Sequence, residues 1–178
     1  GQIVEPALLK NIAAAVDTNR FVASKMDIGT SNKFLPNFWG APARVMCVAE
    51  SRRQIVGDLA RQGTGIRDGG LDPMKAMVDT WAHWARHFGC GNCGEQSAMA
   101  FVYLRDIKGI RPLEWMQIGD FVHGFVVINR DAATKEADAS TWNASAVVCD
   151  PYKSDAGSVS NFAWLRGAPI KVLYRLNQ

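Results

Sequence analysis

Apolar positions recur at helical spacing through the first half of the chain, and gather into short β-branched and aromatic runs in the second. Leu8, Leu9, Ile12, Val16, Phe21 and Val22 predict a helix from Glu5 to about Lys25, with Pro6 at a first-turn position. The stretch 28–42 is rich in Gly, Ser, Asn and Pro and predicts a loop, with Phe34, Phe38 and Trp39 plugged into the body of the domain. Val45, Val48, Ile55 and Leu59 predict a second helix from Pro42 to about Arg61, followed by a loop over 63–70. Asp72-Pro73 is a strong helix start, and Met74, Met77, Val78, Trp81, Trp84 and Phe88 form the apolar stripe of a third helix ending at Gly89. A fourth helix carries Cys93 near its start and stops around Lys108-Gly109. Strands are expected over 121–128, 144–149 and 170–176, with Asp150-Pro151 ending the second and a loop over 154–160.

This order predicts an α+β fold: a helical N-terminal half, then an antiparallel sheet. No repeat, low-complexity tract or linker divides it, so 1–178 reads as one catalytic domain, with 1–88 mainly helical and 89–178 holding the Cys helix and the sheet. Apolar residues at 48% and charged residues at 21% suit a soluble globular chain able to build a core without a disulfide scaffold. The net charge of +3 is mild and scattered, which argues against nucleic acid as a partner. No apolar run is long enough for a membrane span, and no signal-peptide pattern opens the chain at Gly1. Gly63-Thr64-Gly65 lacks the strand and the lysine of a phosphate loop. Cys47 and Cys149 lie in apolar patterns and read as buried small hydrophobes.

The chemistry centres on Gly89-Cys90-Gly91-Asn92-Cys93-Gly94-Glu95-Gln96-Ser97. A tight loop delivers Cys93 to a helix N-terminus, where unpaired N–H groups and the helix dipole favour the thiolate. A nucleophilic cysteine needs a base, and His123 stands at the start of the first predicted strand. Asp150 ends the next one. In an antiparallel pair the start of one strand lies beside the end of the next, so His123 and Asp150 are expected as neighbours. Cys93 is then the nucleophile, His123 its proton partner and Asp150 the group that orients the imidazole. Asn92, Gln96 and Trp142 are candidates for oxyanion or substrate contacts, and Glu95 is expected to stabilise the helix start.

The ordered residues Gly91-Asn92-Cys93-Gly94-Glu95, His123-Gly124-Phe125-Val126-Val127, then Trp142 and Val147-Val148-Cys149-Asp150-Pro151-Tyr152 resemble the papain-like cysteine hydrolases, most closely their transglutaminase-like group. The resemblance runs from about Trp81 to Tyr152 and implies a papain/transglutaminase-like core with the nucleophile heading a helix. It implies no cofactor and an amide substrate attacked through a thioester: a glutamine side chain in a deamidase, a peptide bond in a protease, an amine acceptor in a transglutaminase. Papain-type enzymes carry a glutamine oxyanion donor where this chain has His87, six residues before Cys93. Small bacterial toxins and effectors with such a core are often glutamine deamidases, which implies a protein substrate and a cognate inhibitor or immunity protein. By the same analogy the chain is a soluble domain cut from a larger delivery protein, sent out of the producing cell and active in a target-cell cytosol. Two other readings compete. His83, His87, Cys90 and Cys93 are spaced as H-x3-H-x2-C-x2-C, which raises a zinc-stabilised interaction domain, although four ligands crowded on a helix end with a single CxxC make an unusual zinc site; Cys90-Cys93 has the spacing of a redox pair, but its glycine-rich setting follows a helix and not a strand. Cys90 is otherwise read as loop packing.

Overall fold

A computed structural model describes residues 5–31, 41–67, 70, 72–120 and 122–178. The expected places of Phe34, Phe38, Trp39 and Phe121 lie outside these residues. The chain is α+β: four α-helices precede a five-stranded antiparallel sheet. The helices are α1 Pro6–Lys25, α2 Ala41–Arg67, α3 Pro73–Phe88 and α4 Cys93–Asp106. The strands are β1 Leu113–Ile118, β2 His123–Ile128, β3 Val147–Asp150, β4 Asp155–Ser158 and β5 Ile170–Leu176, in the spatial order β4-β3-β2-β1-β5. None of the described helices is long and apolar enough to cross a membrane.

Local chemistry accounts for the helix ends. Pro6 occupies the first turn of α1, where its missing N–H costs nothing. Asp72 caps α3 by accepting from the Met74 and Lys75 N–H groups at 2.9 and 3.2 Å. Gly89 ends α3 in the left-handed region at φ 67°. The loop expected over 63–70 begins later than the glycines suggested, because α2 continues to Arg67. A Cβ at Gly63 would meet nothing within 4 Å, so nothing steric requires glycine there.

Helix α4 is the centre of the core. Its residues Ala98, Met99, Ala100, Phe101 and Leu104 are buried, and they pack with α1, α3 and one face of the sheet, including Trp115, Val126, Ile128 and Val147. The other face packs Met116, Phe125, Val127 and Val148 against Trp142, Leu165 and Ile170. Residues two apart on a strand share a face, so each strand feeds both layers in turn. Two strands differ from expectation. β1, between Pro112 and Gly119, alternates as Leu113, Trp115 and Gln117 against Glu114, Met116 and Ile118, a strand signal that the sequence reading passed over. β4 consists of Asp155-Ala156-Gly157-Ser158, which carries no β-branched residue; pairing with β3 imposes its conformation.

The cysteines also depart from expectation. Cys47 is half-buried and forms a disulfide with Cys90, their Cα atoms 6.3 Å apart, which ties α2 to the loop before Cys93. Neither the role of Cys47 as a buried free hydrophobe nor that of Cys90 as loop packing holds. The pairing crosses a helix–loop contact that exists only once α2 has docked. Cys149 is a buried free thiol, as expected.

Candidate active site

Three elements converge at one end of the sheet. Cys93 is the first residue of α4, His123 the first of β2 and Asp150 the last of β3. β2 and β3 pair antiparallel, Val126 opposite Cys149, which brings His123 and Asp150 to the same end. His123 Nε2 lies 2.5 Å from Asp150 Oδ2. The Cys93 thiol stands beside the same imidazole, near enough for each to shift the other's pKa, and its Sγ reaches the Val122 carbonyl at 4.0 Å. Asp150 is fully buried, and its Oδ1 accepts the Lys153 N–H at 3.1 Å, which fixes the carboxylate plane. Phe125 stacks on the imidazole at an interplanar angle of 11°, and Trp164 meets it edge-on at 5.5 Å between centroids. Trp164 is held in turn by its Nε1–H to Asp155 at 2.9 Å.

Two close approaches place the nucleophile. A Cβ at Gly124 would lie 2.9 Å from Ser97 Oγ, so only glycine lets β2 run against the first turns of α4. A Cβ at Gly94 would lie 2.5 Å from the Trp81 ring, so α3 too depends on glycine to reach this close to the Cys93 turn. Glu95, buried in that turn, accepts the Asn92 N–H at 3.0 Å, half of a capping box. Arg52 on α2 pairs with Glu95 at 2.7 Å. The carboxylate expected to stabilise the helix start does so, and also anchors α2.

The electrostatics favour an ion pair. For Cys93, burial pushes the thiol pKa up, but the hydrogen bond from His123, the Gly124 N–H and the imidazolium charge outweigh it and hold the pKa below the ordinary 9.0. For His123, burial works against the charged ring; the hydrogen bonds to Asp150 and Cys93 prevail and raise its pKa from 6.5 to about 9. The imidazolium is therefore present at neutral pH and lost as the pH rises through about 9. Its contribution to stability has the same sign: complete below pH 6.5, fading between 6.5 and about 9. Iodoacetamide should accordingly alkylate Cys93 at neutral pH, and His123→Ala should move the pH midpoint of that reaction up toward 9.0. Mass mapping reads this cleanly, because Cys47 and Cys90 are paired and burial raises the pKa of Cys149 strongly. A midpoint unmoved by His123→Ala would refute the ion pair.

Cys93, Gly94, His123 and Gly124 open onto a cavity of about 360 Å³ whose walls include Trp81, Trp115, Met77, Ile55 and Leu173. Val56, 67% exposed, lines it as well, and Val122, 75% exposed, adjoins His123. Gln117 on β1, paired with Gly124, completes the wall. The sequence reading missed Gln117 along with its strand.

No protein-family model, no curated protein and no solved structure matches the chain.

The remaining candidates are placed elsewhere. The Asn92 side chain is bound to Ser31, Oδ1 accepting its N–H at 3.0 Å and Nδ2 donating to its Oγ at 2.9 Å. Gln96 is buried and donates to the Gly91 carbonyl at 3.0 Å. Trp142 packs in the layer on the far face of the sheet, donates to the Lys135 carbonyl at 2.9 Å and does not line the Cys93 cavity. His87 is exposed on α3 among Trp84 and Phe88 and takes no part in the cavity. Cys90, committed to a disulfide, is neither a thiolate ligand for zinc nor a redox partner of Cys93. Among the described residues no group of three or more His, Cys, Asp or Glu is placed to hold a metal ion. The first-turn N–H groups of α4, that of Cys93 among them, are the donors nearest in the chain to the nucleophile.

Proposed function

We propose that this chain is a cysteine-dependent amidohydrolase that deamidates glutamine side chains of a target protein. The observation that carries the reading is the His123 imidazole, bonded to buried Asp150 at 2.5 Å and set beside the Cys93 thiol at a helix N-terminus, next to a cavity. The Cys93 thiolate attacks the side-chain carboxamide carbon. The carbonyl oxygen gathers negative charge in front of the α4 N-terminus. His123 gives its proton to the departing nitrogen, which leaves as ammonia and yields a thioester. Water, deprotonated by His123, then attacks the thioester, producing a glutamate side chain and the free thiol. Asp150 keeps the ring oriented and balances its positive charge.

Walls drawn from α2, α3, α4, β1, β2 and β5 surround the cavity, which favours an inserted side chain over an extended peptide. The exposed Val56 and Val122 beside it favour a macromolecular surface as the carrier. Membership of the papain-like, transglutaminase-like group is part of the proposal, as are delivery into a target cell and a cognate inhibitor. Treating a cell lysate with the wild-type chain or Cys93→Ala tests the reading by peptide mass mapping. Deamidation adds about one dalton at defined glutamines, with ammonia released and only in the wild-type sample. Fragments would assign the site to proteolysis and incorporated amines to transglutamination. No thiol-dependent change would sink all three.

A further inference from the structure

A fully buried carboxylate is tolerated only where it is paired, and Glu95 is one, set in the turn that carries the nucleophile. Side chains two apart on a helix point different ways. This one nevertheless folds back over the start of α4: its Oε2 accepts the Asn92 N–H at 3.0 Å, in the residue adjoining Cys93. The cap therefore sets a negative charge beside the thiolate, and both draw on the same few first-turn N–H groups. Burial does most to raise the Cys93 pKa, and the Glu95 charge raises it further.

Arg52 answers that charge from α2. Its Nε donates to Glu95 Oε1 at 2.7 Å and its Nη2 to Oε2 at 3.4 Å. Its side chain is half-exposed where that of Glu95 is buried, and it lines the Cys93 cavity with its helix neighbours Ile55 and Val56. The bond to Glu95 raises its pKa against the cost of burial, and the charges of Glu95 and Cys93 add to the rise. One guanidinium is thus within electrostatic reach of both carboxylate and thiolate. The titratable groups around Cys93 are Glu95 on α4, Arg52 on α2, His123 on β2, and Asp150 and Tyr152 at the end of β3. Trp81 of α3, Gln117 of β1 and Leu173 of β5, which complete the cavity walls, carry no charge.

We propose that Arg52 is a positioning residue for the nucleophile: paired with Glu95, it cancels the charge that the helix cap places beside Cys93 and leaves the α4 N-terminus to hold the thiolate. This role rests on Cys93 acting as the nucleophile of the proposed reaction. Lacking Arg52, the thiolate, Glu95 and Asp150 would face the positive charge of His123 alone.

The pH midpoint of Cys93 alkylation by iodoacetamide, read in the intact chain, tests this in wild type, Arg52→Met, Glu95→Gln and the double variant. Glu95→Gln keeps an acceptor for the Asn92 N–H and removes the charge. Arg52→Met should raise the midpoint by about one pH unit, which is about tenfold less thiolate at a given pH below it. Glu95→Gln should lower the midpoint, and the double variant should return close to wild type. A midpoint that Arg52→Met leaves unmoved would overturn the proposal. So would one that stays raised in the double variant, since Arg52 would then act on the thiol without Glu95. Should Arg52→Met show no cooperative melting, Glu95→Gln decides alone, and a midpoint that it leaves unmoved or raises is fatal. His123→Ala keeps the two readings apart: a midpoint unmoved by it refutes the ion pair behind the catalysis, whereas the Arg52 and Glu95 variants read the cap charge with His123 in place.

Discussion

Cys93→Ala is expected to abolish the proposed thiol-dependent deamidation and to leave the fold intact. The side chain loses one sulfur atom from a half-buried position, while the Glu95 cap, the Gly94–Trp81 contact and the buried face of α4 are untouched. Stability therefore stays close to that of the wild type. Activity does not, because the covalent step has no substitute. The expected fall is at least about a thousandfold, the scale of losing one member of a catalytic triad. Ammonia release and the mass of the product measure it. Residual activity above about a hundredth of wild type is incompatible with a thioester route.

Glu114→Ala should make the sheet unfold at a much lower temperature. Glu114 is 1% exposed on β1 and receives two bonds from Arg130, both at 2.7 Å, with Arg175 of β5 at 3.1 Å. Arg130 also reaches the Thr134 carbonyl at 3.0 Å, and Arg175 the Arg130 carbonyl at 3.1 Å. Removing the carboxylate strands a buried guanidinium with no counter-charge, which costs about 3–5 kcal/mol. In a chain of this size that corresponds to a melting temperature lower by about 10 °C. The exposed pair Glu50–Arg53 is the control: Arg53→Ala should leave the melting curve where it was. If both substitutions behave alike, the Glu114 cluster is not what joins β1 to β5.

Much of this was legible in the order of residues. The four helices are encoded by their own apolar stripes and ends, Pro6, Asp72-Pro73 and Gly89 being local signals that need no partner. The strands beginning at His123 and Ile170 carry enough β-branched and aromatic residues to declare themselves. Adjacency of His123 and Asp150 followed from the antiparallel rule alone. β1 was equally readable and was passed over, and Gln117 with it. β4 was not readable, because a strand of Asp, Ala, Gly and Ser exists only where β3 pairs with it.

The sequence by itself determined which residues have the chemistry: a cysteine heading a helix, a histidine opening a strand, an aspartate closing the next. Those signals are short-range, set by backbone hydrogen bonding over a few residues. Only the tertiary structure decided which of the other polar residues stand at the cavity. Asn92 is bound to Ser31, Gln96 to Gly91 and Trp142 to the far layer, whereas Trp81 and Gln117 line the cavity with buried polar atoms that no described residue satisfies. It likewise decided that Cys47 meets Cys90. Side-chain partnership across helices and sheet depends on how the layers dock, and docking is a sum over the whole core that no local stretch of sequence contains.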